Sequence, residues 1–341
     1  MTARGVGWLW LAPVVLLAAL FFGTAVGETR IPLSTVLDVL SVKLGLGARD
    51  VSAVEAGVVW HYRLSRAVVA GCGGASLALS GLILQALLRN PLAEPYLLGI
   101  SAGASTGAVA VSVAGLGAGV VSMSAGAFAG ALTAFGLVAL LARAAGGGTG
   151  MRGAGVIILA GIAGSQMFNA LTALIIARSA SAEQARGIMF WLLGNLSGVR
   201  WPDTWIALPM ALIGLGVALW HARVLDAFTF GAESAASLGI SLRRTQAVLI
   251  GTAALVTAIM VSIAGAIGFV GLVVPHAMRF LVGARHVRLV PATALAGAVF
   301  LIVSDVVSRI AIPGQVLPIG VVTALVGAPA FALIMIRGKA R

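Results

Sequence analysis

The stretch RLSRAVVAGCGGASLALSGLILQALLRNPLAEPYLLGISAGASTG, Arg63–Gly107, decides the fold class. Two apolar segments rich in Gly, Ala and Ser flank a short polar hairpin, Arg89-Asn90-Pro91-Leu92-Ala93-Glu94-Pro95. Each flanking segment is long enough to cross a bilayer, which takes about 20 residues. The charges and prolines of the hairpin belong at a membrane surface. Small residues recur at Gly71, Gly74, Ala75, Ala78 and Gly81, and again at Gly99, Ala102, Gly103 and Gly107. In lipid, such spacing lets helices approach closely. Any packed membrane hairpin has this character, so the stretch fixes a class and not a function.

Composition extends the class to the whole chain of 341 residues. Only 9% of residues are charged, against about 25% in soluble proteins, and the mean hydropathy is +1.09. A polytopic membrane protein fits, with room for roughly ten spans. A net charge of +12 would suggest nucleic acid in a soluble chain. Here it reads as Arg-rich cytoplasmic loops facing anionic lipid, with no nucleic-acid partner. Cys72 is the single cysteine, so one chain can form neither a disulfide nor a cysteine metal cluster.

Hydropathy predicts one all-α transmembrane domain over 1–341, with spans near 7–27, 63–88, 96–113, 120–141, 155–176, 206–221, 247–266, 268–282, 289–309 and 318–336. The first run reads as an uncleaved span rather than a signal peptide, being long and followed by no A-x-A site. Residues 28–62 read as an external loop with an amphipathic helix around Thr35–Leu46. Residues 178–203 read as external too, and Trp191, Trp201 and Trp205 suit an interfacial belt. Arg89, Arg143, Arg152, Arg243, Arg244, Arg285 and Arg288 fall on the opposite side. This bias predicts both termini in the cytoplasm. Spans two to five and seven to ten would then run in opposite senses, as in transporters built from inverted repeats.

Several chemistries drop out. The glycine run in RAAGGGTGMRG, 143–153, is no Walker A loop, because no Lys occurs between Lys43 and Lys339. No H-E-x-x-H exists, and the histidines are scattered at 61, 221, 276 and 286. No Gly-x-Ser-x-Gly elbow supports a serine enzyme. No catalytic or metal-binding residue is therefore expected, and the chain binds no cofactor of its own. Gln166 and Asn169 share one helix face within an apolar run. They and Ser101 and Ser105 either line a translocation path or bond neighbouring helices. Asp305 and Arg309 form an i,i+4 pair. Asp305 is the acidic residue deep in an expected span, so ion-coupled secondary transport is the rival class.

Motifs in order along the chain are more specific. Arg63-Leu-Ser-Arg66 and Ala78-Leu-Ser-Gly81 with Gln85 come first. Arg89-Asn-Pro-Leu-Ala-Glu-Pro95 and Leu98-Gly-Ile-Ser-Ala-Gly-Ala104 follow. Then come Leu159-Ala-Gly-Ile-Ala163, Trp191-Leu-Leu-Gly-Asn-Leu-Ser-Gly198, the run Gly268–Arg279 with Pro275-His276, and the run Leu317–Pro329. In order and spacing these resemble the FecCD-type permease subunits of ABC importers for iron chelates and cobalamin, almost end to end.

The resemblance implies a homodimeric permease of ten helices per subunit in the bacterial inner membrane. Two ATP-binding cassette subunits would hold ATP and Mg below, and a periplasmic or lipid-anchored substrate-binding protein would dock above. It implies a cytoplasmic coupling segment over 226–245, with Gly231, Glu233, Ala236, Leu238, Gly239, Arg243 and Arg244 facing the ATPase. It implies docking of the binding protein on external Arg63, Arg66 and Arg309; snorkelling, or for Arg309 a pair with Asp305, is the other account. Val316 stands where the family often has a Glu before Leu-Pro-Val/Ile-Gly. Asn90 and Leu92, with the 143–155 loop, match the cytoplasmic narrowing of the path, as a gate or as a simple turn. His276 reads as structural rather than as a haem ligand. A ferric siderophore or haem is the first expected substrate and cobalamin the second.

Overall fold

The structure, a computed structural model, describes residues 7–47, 51–114, 122–147, 151–179 and 181–338. They are helical nearly throughout: α1 (Gly7–Ala25), α2 (Leu33–Lys43), α3 (Ala53–Ala56), α4 (Ser65–Leu87), α5 (Ile100–Ala114), α6 (Met123–Ala144), α7 (Met151–Ser179), α8 (Ala182–Leu192), α9 (Trp201–Trp220), α10 (Ala222–Thr229), α11 (Ala232–Ser237), α12 (Leu242–Ala264), α13 (Val270–Val282), α14 (His286–Ile310) and α15 (Ile319–Gly338). A π-helical stretch, Gly57–Leu64, joins α3 to α4, and a 3-10 turn, Pro95–Leu98, leads into α5. Six helices among the described residues are long and apolar enough to cross a membrane, and four shorter apolar helices accompany them. The expected start of the fourth span at 120, and residues 148–150 of the glycine loop, lie outside the described residues.

Helix α4 is the axle of the bundle. It is buried on every side and packs against α9, α12, α13 and α14. Its small residues make this possible. A Cβ on Gly74 would stand 2.0 Å from the Gly297 carbonyl oxygen on α14, and one on Gly81 would stand 1.9 Å from the Gly271 carbonyl oxygen on α13. The backbones touch, and close van der Waals contact is what holds membrane helices together.

A break in the bundle separates α12 from α13. Gly265 ends α12 at φ 73°, and Phe269 starts α13 at φ 68°. Exposed backbone at membrane depth must find partners inside the protein. Tyr96 supplies them: its hydroxyl accepts from Ile267 N at 2.7 Å and donates to Ile267 O at 2.9 Å. The loop after α8 joins the same junction. Asn195 N donates to Ala264 O, while Ile319 N and Gly320 N donate to Gly194 O and Leu193 O. Two of the motifs quoted from the sequence, Trp191–Gly198 and Leu317–Pro329, thus meet at this break.

Two stretches differ from their sequence reading. The helix near 35–46 is α2, and the chain is helical again from Ala53, ten residues before the expected second span. The π-helical stretch lets that helix continue through the Trp60-His61-Tyr62 segment. Residues 178–203 are not only loop: α7 runs on to Ser179, and α8 follows with a capping box between Ser181 and Gln184. That Ser-x-x-Gln signature was readable in the sequence. Of the expected belt, Trp201 stacks 5.2 Å from Trp60 and Trp205 is exposed, whereas Trp191 packs against the core.

Candidate functional site

Polar groups gather at the two ends of α4. Arg66 and Gln85 are separated by 19 residues, about 29 Å along a helix at 1.5 Å per residue. That matches the ~30 Å hydrocarbon thickness of a bilayer. His286 and Asp305 on α14 have the same separation.

At the first end, two arginines converge on one carboxylate and a third bonds the chain beside them. Arg66 Nε lies 2.7 Å from Asp305 Oδ1, and Arg309 Nη2 lies 3.1 Å from Asp305 Oδ2. Arg66 Nη1 also donates to Tyr62 Oη at 2.9 Å and Ser197 Oγ at 3.1 Å. Arg309 donates to the carbonyls of Gly23 and Val26, both at 2.9 Å. Arg63 donates to Ala25 O at 2.9 Å and to Thr29 O. The last carbonyls of a helix lack internal partners and carry the negative end of its dipole. Arg63 and Arg309 therefore fix the end of α1, while Asp305 compensates the charge of Arg309 and Arg66.

Arg63, Arg66 and Arg309 were expected to meet the binding protein from the external face. All three are buried, because each has backbone or carboxylate partners inside the bundle. The Asp305–Arg309 pair weighed from the sequence is present. Arg200 is exposed beside them, with its guanidinium 5.4 Å above the Tyr62 ring.

At the other end, Arg279 Nη1 donates to Gln85 Oε1 at 2.7 Å, and Gln85 Nε2 donates to Gly271 O at 3.0 Å. This locks α13 to α4. Asp226 Oδ1 accepts from His286 N at 2.9 Å and stands 2.7 Å from His286 Nδ1. Asp226 on α10 so caps the start of α14.

Beyond these locks the chain makes a small exposed platform. Gly231, at φ 117°, turns α10 into α11, and Gly239, at φ 79°, turns α11 towards α12. Glu233, Ala236, Leu238, Arg243 and Arg244 are exposed, while Ala235 is buried beneath them. Phe230 and Leu238 are 78% and 71% exposed at either end of α11. Sequence reading missed Phe230, although an apolar residue in a loop turning on two glycines was the available signal. Arg89, at φ 49°, lies beside the platform and lines a cleft of about 190 Å³ with Phe230, Gly231 and Glu233.

Asn90 and Leu92 sit in the turn beneath. Asn90 Oδ1 accepts from Leu92 N at 2.9 Å, and Leu92 itself is exposed. Glu94 closes this hairpin, and partial burial raises its carboxyl above the ordinary range. On α5, Ser105 Oγ donates to Ser101 O at 2.9 Å. On α7, Gln166 and Asn169 are exposed and make no hydrogen bond to a described residue. The side of α7 facing α5 is instead held by Thr106 Oγ1, which donates to Phe168 O at 2.8 Å. The structure therefore does not bring the two serines and the two amides together within one chain. His276 is ringed by aromatics, with Phe280 at 5.3 Å and Phe331 at 6.3 Å.

An all-helical bundle with a broken central pair and polar locks at both faces has the form of a membrane permease. The FecCD transport family profile matches residues 15–337, and the chain belongs to that family. It is similar to the cobalamin import system permease protein BtuC of Halobacterium salinarum, 36% identical over 98% of this chain and 97% of the relative. It is also similar to the vitamin B12 import system permease protein BtuC of Shigella boydii, 35% identical over 98% and 97%. Among solved structures it resembles a metal-chelate type ABC transporter in an inward-facing conformation, with a TM-score of 0.81 at 28% identity, covering 96% of this chain and 98% of the other. The chain is thus a multi-pass permease subunit of an ABC importer, and ATP is hydrolysed by a partner ATPase rather than by this chain.

Proposed function

We propose that the chain is the permease of a cobalamin importer. The observation carrying this is the pair of relatives named for cobalamin or vitamin B12 import, each aligned over 98% of the chain. The order of substrates drawn from the sequence, iron chelate before cobalamin, is therefore reversed. A ferric chelate is the second reading, favoured by the likeness to a metal-chelate type transporter.

In this reading two copies pair, with ten spans each and both termini in the cytoplasm. The uncovered face of α7 supports the pairing. Its apolar span is mostly unburied within one chain, yet presents Gln166 and Asn169. Amides in lipid need a partner or a water-lined path, and a second copy across a shared path supplies either. Spans on either side of α9 run in opposite senses, as an inverted repeat requires.

Work is transmitted from the α10–α11 platform. A partner ATPase grips Phe230 and Leu238 and pairs with Glu233, Arg243 and Arg244. Asp226 passes the movement to α14, and Arg279 with Gln85 passes it to α4. Leu92, beside this platform, narrows the cytoplasmic exit, while Asn90 shapes the turn that carries it. At the far end the buried arginines hold the helix ends, and exposed Arg200 meets a carboxylate of the binding protein. Such rim pairs govern orientation and on-rate.

The test is uptake into sealed proteoliposomes holding this chain with its ATPase, with the binding protein outside. ATP-dependent accumulation of cobalamin and not of ferric hydroxamate or haem is the expected result. Accumulation of an iron chelate alone would overturn the substrate, and uptake driven by an ion gradient without ATP would overturn the mechanism.

A further inference from the structure

A cavity of about 660 Å³ opens between α6, α7 and α12, next to the α10–α11 platform. Its walls are apolar: Leu98, Phe135, Val138, Ile157 and Ile250. Two arginines stand at one end of it, Arg143 in the last turn of α6 and Arg243 in the first turn of α12. Both are exposed, and neither has an ion-pair or hydrogen-bond partner among the described residues. Gln246 lines both this cavity and the cleft beneath Phe230 and Glu233.

We propose that this cavity seats one anionic phospholipid of the cytoplasmic leaflet. The phosphate lies between Arg143 and Arg243, and an acyl chain follows the apolar wall. The shape sorts the possible occupants. A soluble anion would use the arginines and leave the long apolar wall bare to water. A neutral lipid would fill the wall and leave two guanidiniums without an anion. An anionic lipid satisfies both, and basic pockets between transmembrane helices on the cytoplasmic side are where such headgroups bind. Arg143 brings its charge to the mouth through the α6 terminus, which also carries the negative end of a helix dipole. The lipid phosphate sits outboard of that terminus, on the guanidinium.

The position gives the lipid a consequence. It shares Gln246 with the platform cleft, and Arg243 belongs to both, so the lipid braces the segment on which the partner ATPase pushes. This consequence rests on the platform reading above, and the choice of the cytoplasmic leaflet rests on the topology proposed there; in the assembled transporter Arg243 is shared between the lipid and the platform.

The test is native mass spectrometry of the assembled transporter taken from bilayers of mixed phosphatidylglycerol and phosphatidylcholine. The expected result is selective retention of phosphatidylglycerol. Arg143→Gln should reduce it about fivefold, the effect of one interfacial arginine on an anionic lipid, and Arg143→Lys should restore it. Ala139→Trp, which fills the cavity wall while both arginines are kept, should reduce it as well. Added inorganic phosphate should not displace the lipid. Equal retention of both lipids, retention unchanged in Arg143→Gln and Ala139→Trp, or displacement by inorganic phosphate would each overturn the proposal. Retention is read on assembled complex only, so a variant that fails to fold is recognised by loss of assembly, and the lysine and tryptophan variants then decide. Because retention needs no ATP, it stands or falls separately from the transport reading.

Discussion

Arg66 Nε and Asp305 Oδ1 lie 2.7 Å apart, both side chains buried, across 239 positions of sequence. This contact joins α4 to α14 at the same end where Arg309 and Arg63 close off α1. Removing one partner of a buried pair costs about 3–5 kcal/mol, since the other charge stays buried without compensation. Asp305→Asn leaves Arg66 and Arg309 buried without the carboxylate that pairs with both. Its thermal unfolding in detergent should fall well below that of the parent chain, with a larger loss than for Arg66→Gln. An unchanged midpoint would remove the structural role given to Asp305.

The axle of the bundle makes a sharper demand on glycine. Gly74→Ala drives a methyl against the Gly297 carbonyl, which is backbone and cannot rotate away. Overpacking of this kind costs about 1–3 kcal/mol. Gly136→Ala on α6 meets nothing within 4 Å and should gain up to about 1 kcal/mol from helix propensity. Detergent melting curves of the pair should therefore move in opposite directions.

Reversing the platform charges isolates coupling. Glu233→Arg combined with Arg243→Glu and Arg244→Glu should abolish ATP-driven uptake while binding-protein attachment at the other face is kept. Phe230→Asp should do the same through its apolar contact. Uptake at parental rates in either variant would remove the platform assignment.

The α7 face predicts where two copies meet. Cys72 is buried, so an engineered thiol would be the reactive one. Asn169→Cys or Gln166→Cys should give a disulfide-linked dimer on mild oxidation in membranes. Absence of cross-linking at both positions would count against pairing through α7.

Glu94 gives a pH dependence whose sign is fixed by burial. Its folded carboxyl is raised above the reference value of 4.5. The neutral form is the one the fold favours, so its contribution is full below the reference value. That contribution is lost as pH rises through the raised folded value. Glu94→Gln should remove this loss and raise the melting midpoint at neutral pH, with no gain in acid. Parallel pH–melting curves for the two proteins would contradict the assignment.

Much of this molecule was readable one residue at a time. Hydropathy and the scarcity of charge gave an all-helical membrane protein, because lipid forces every backbone group to bond within its own segment. Ordered motifs gave the family. The platform residues were legible because glycines and charges interrupting apolar runs must sit at a surface.

The roles of the arginines were not legible. Arg63, Arg66 and Arg309 have the same sequence appearance whether they face a partner or bond inside the bundle. Only packing places Asp305 and the carbonyls of Gly23, Ala25 and Val26 within reach. Tyr96 is the same kind of case, since its partner Ile267 lies 171 residues away and matters only because the bundle breaks there. The sequence determined which segments enter the membrane, a choice made locally by transfer from water. The tertiary structure alone decided which buried polar group satisfies which, because in a low-dielectric interior that choice depends on contacts within a few ångströms between segments far apart in the chain.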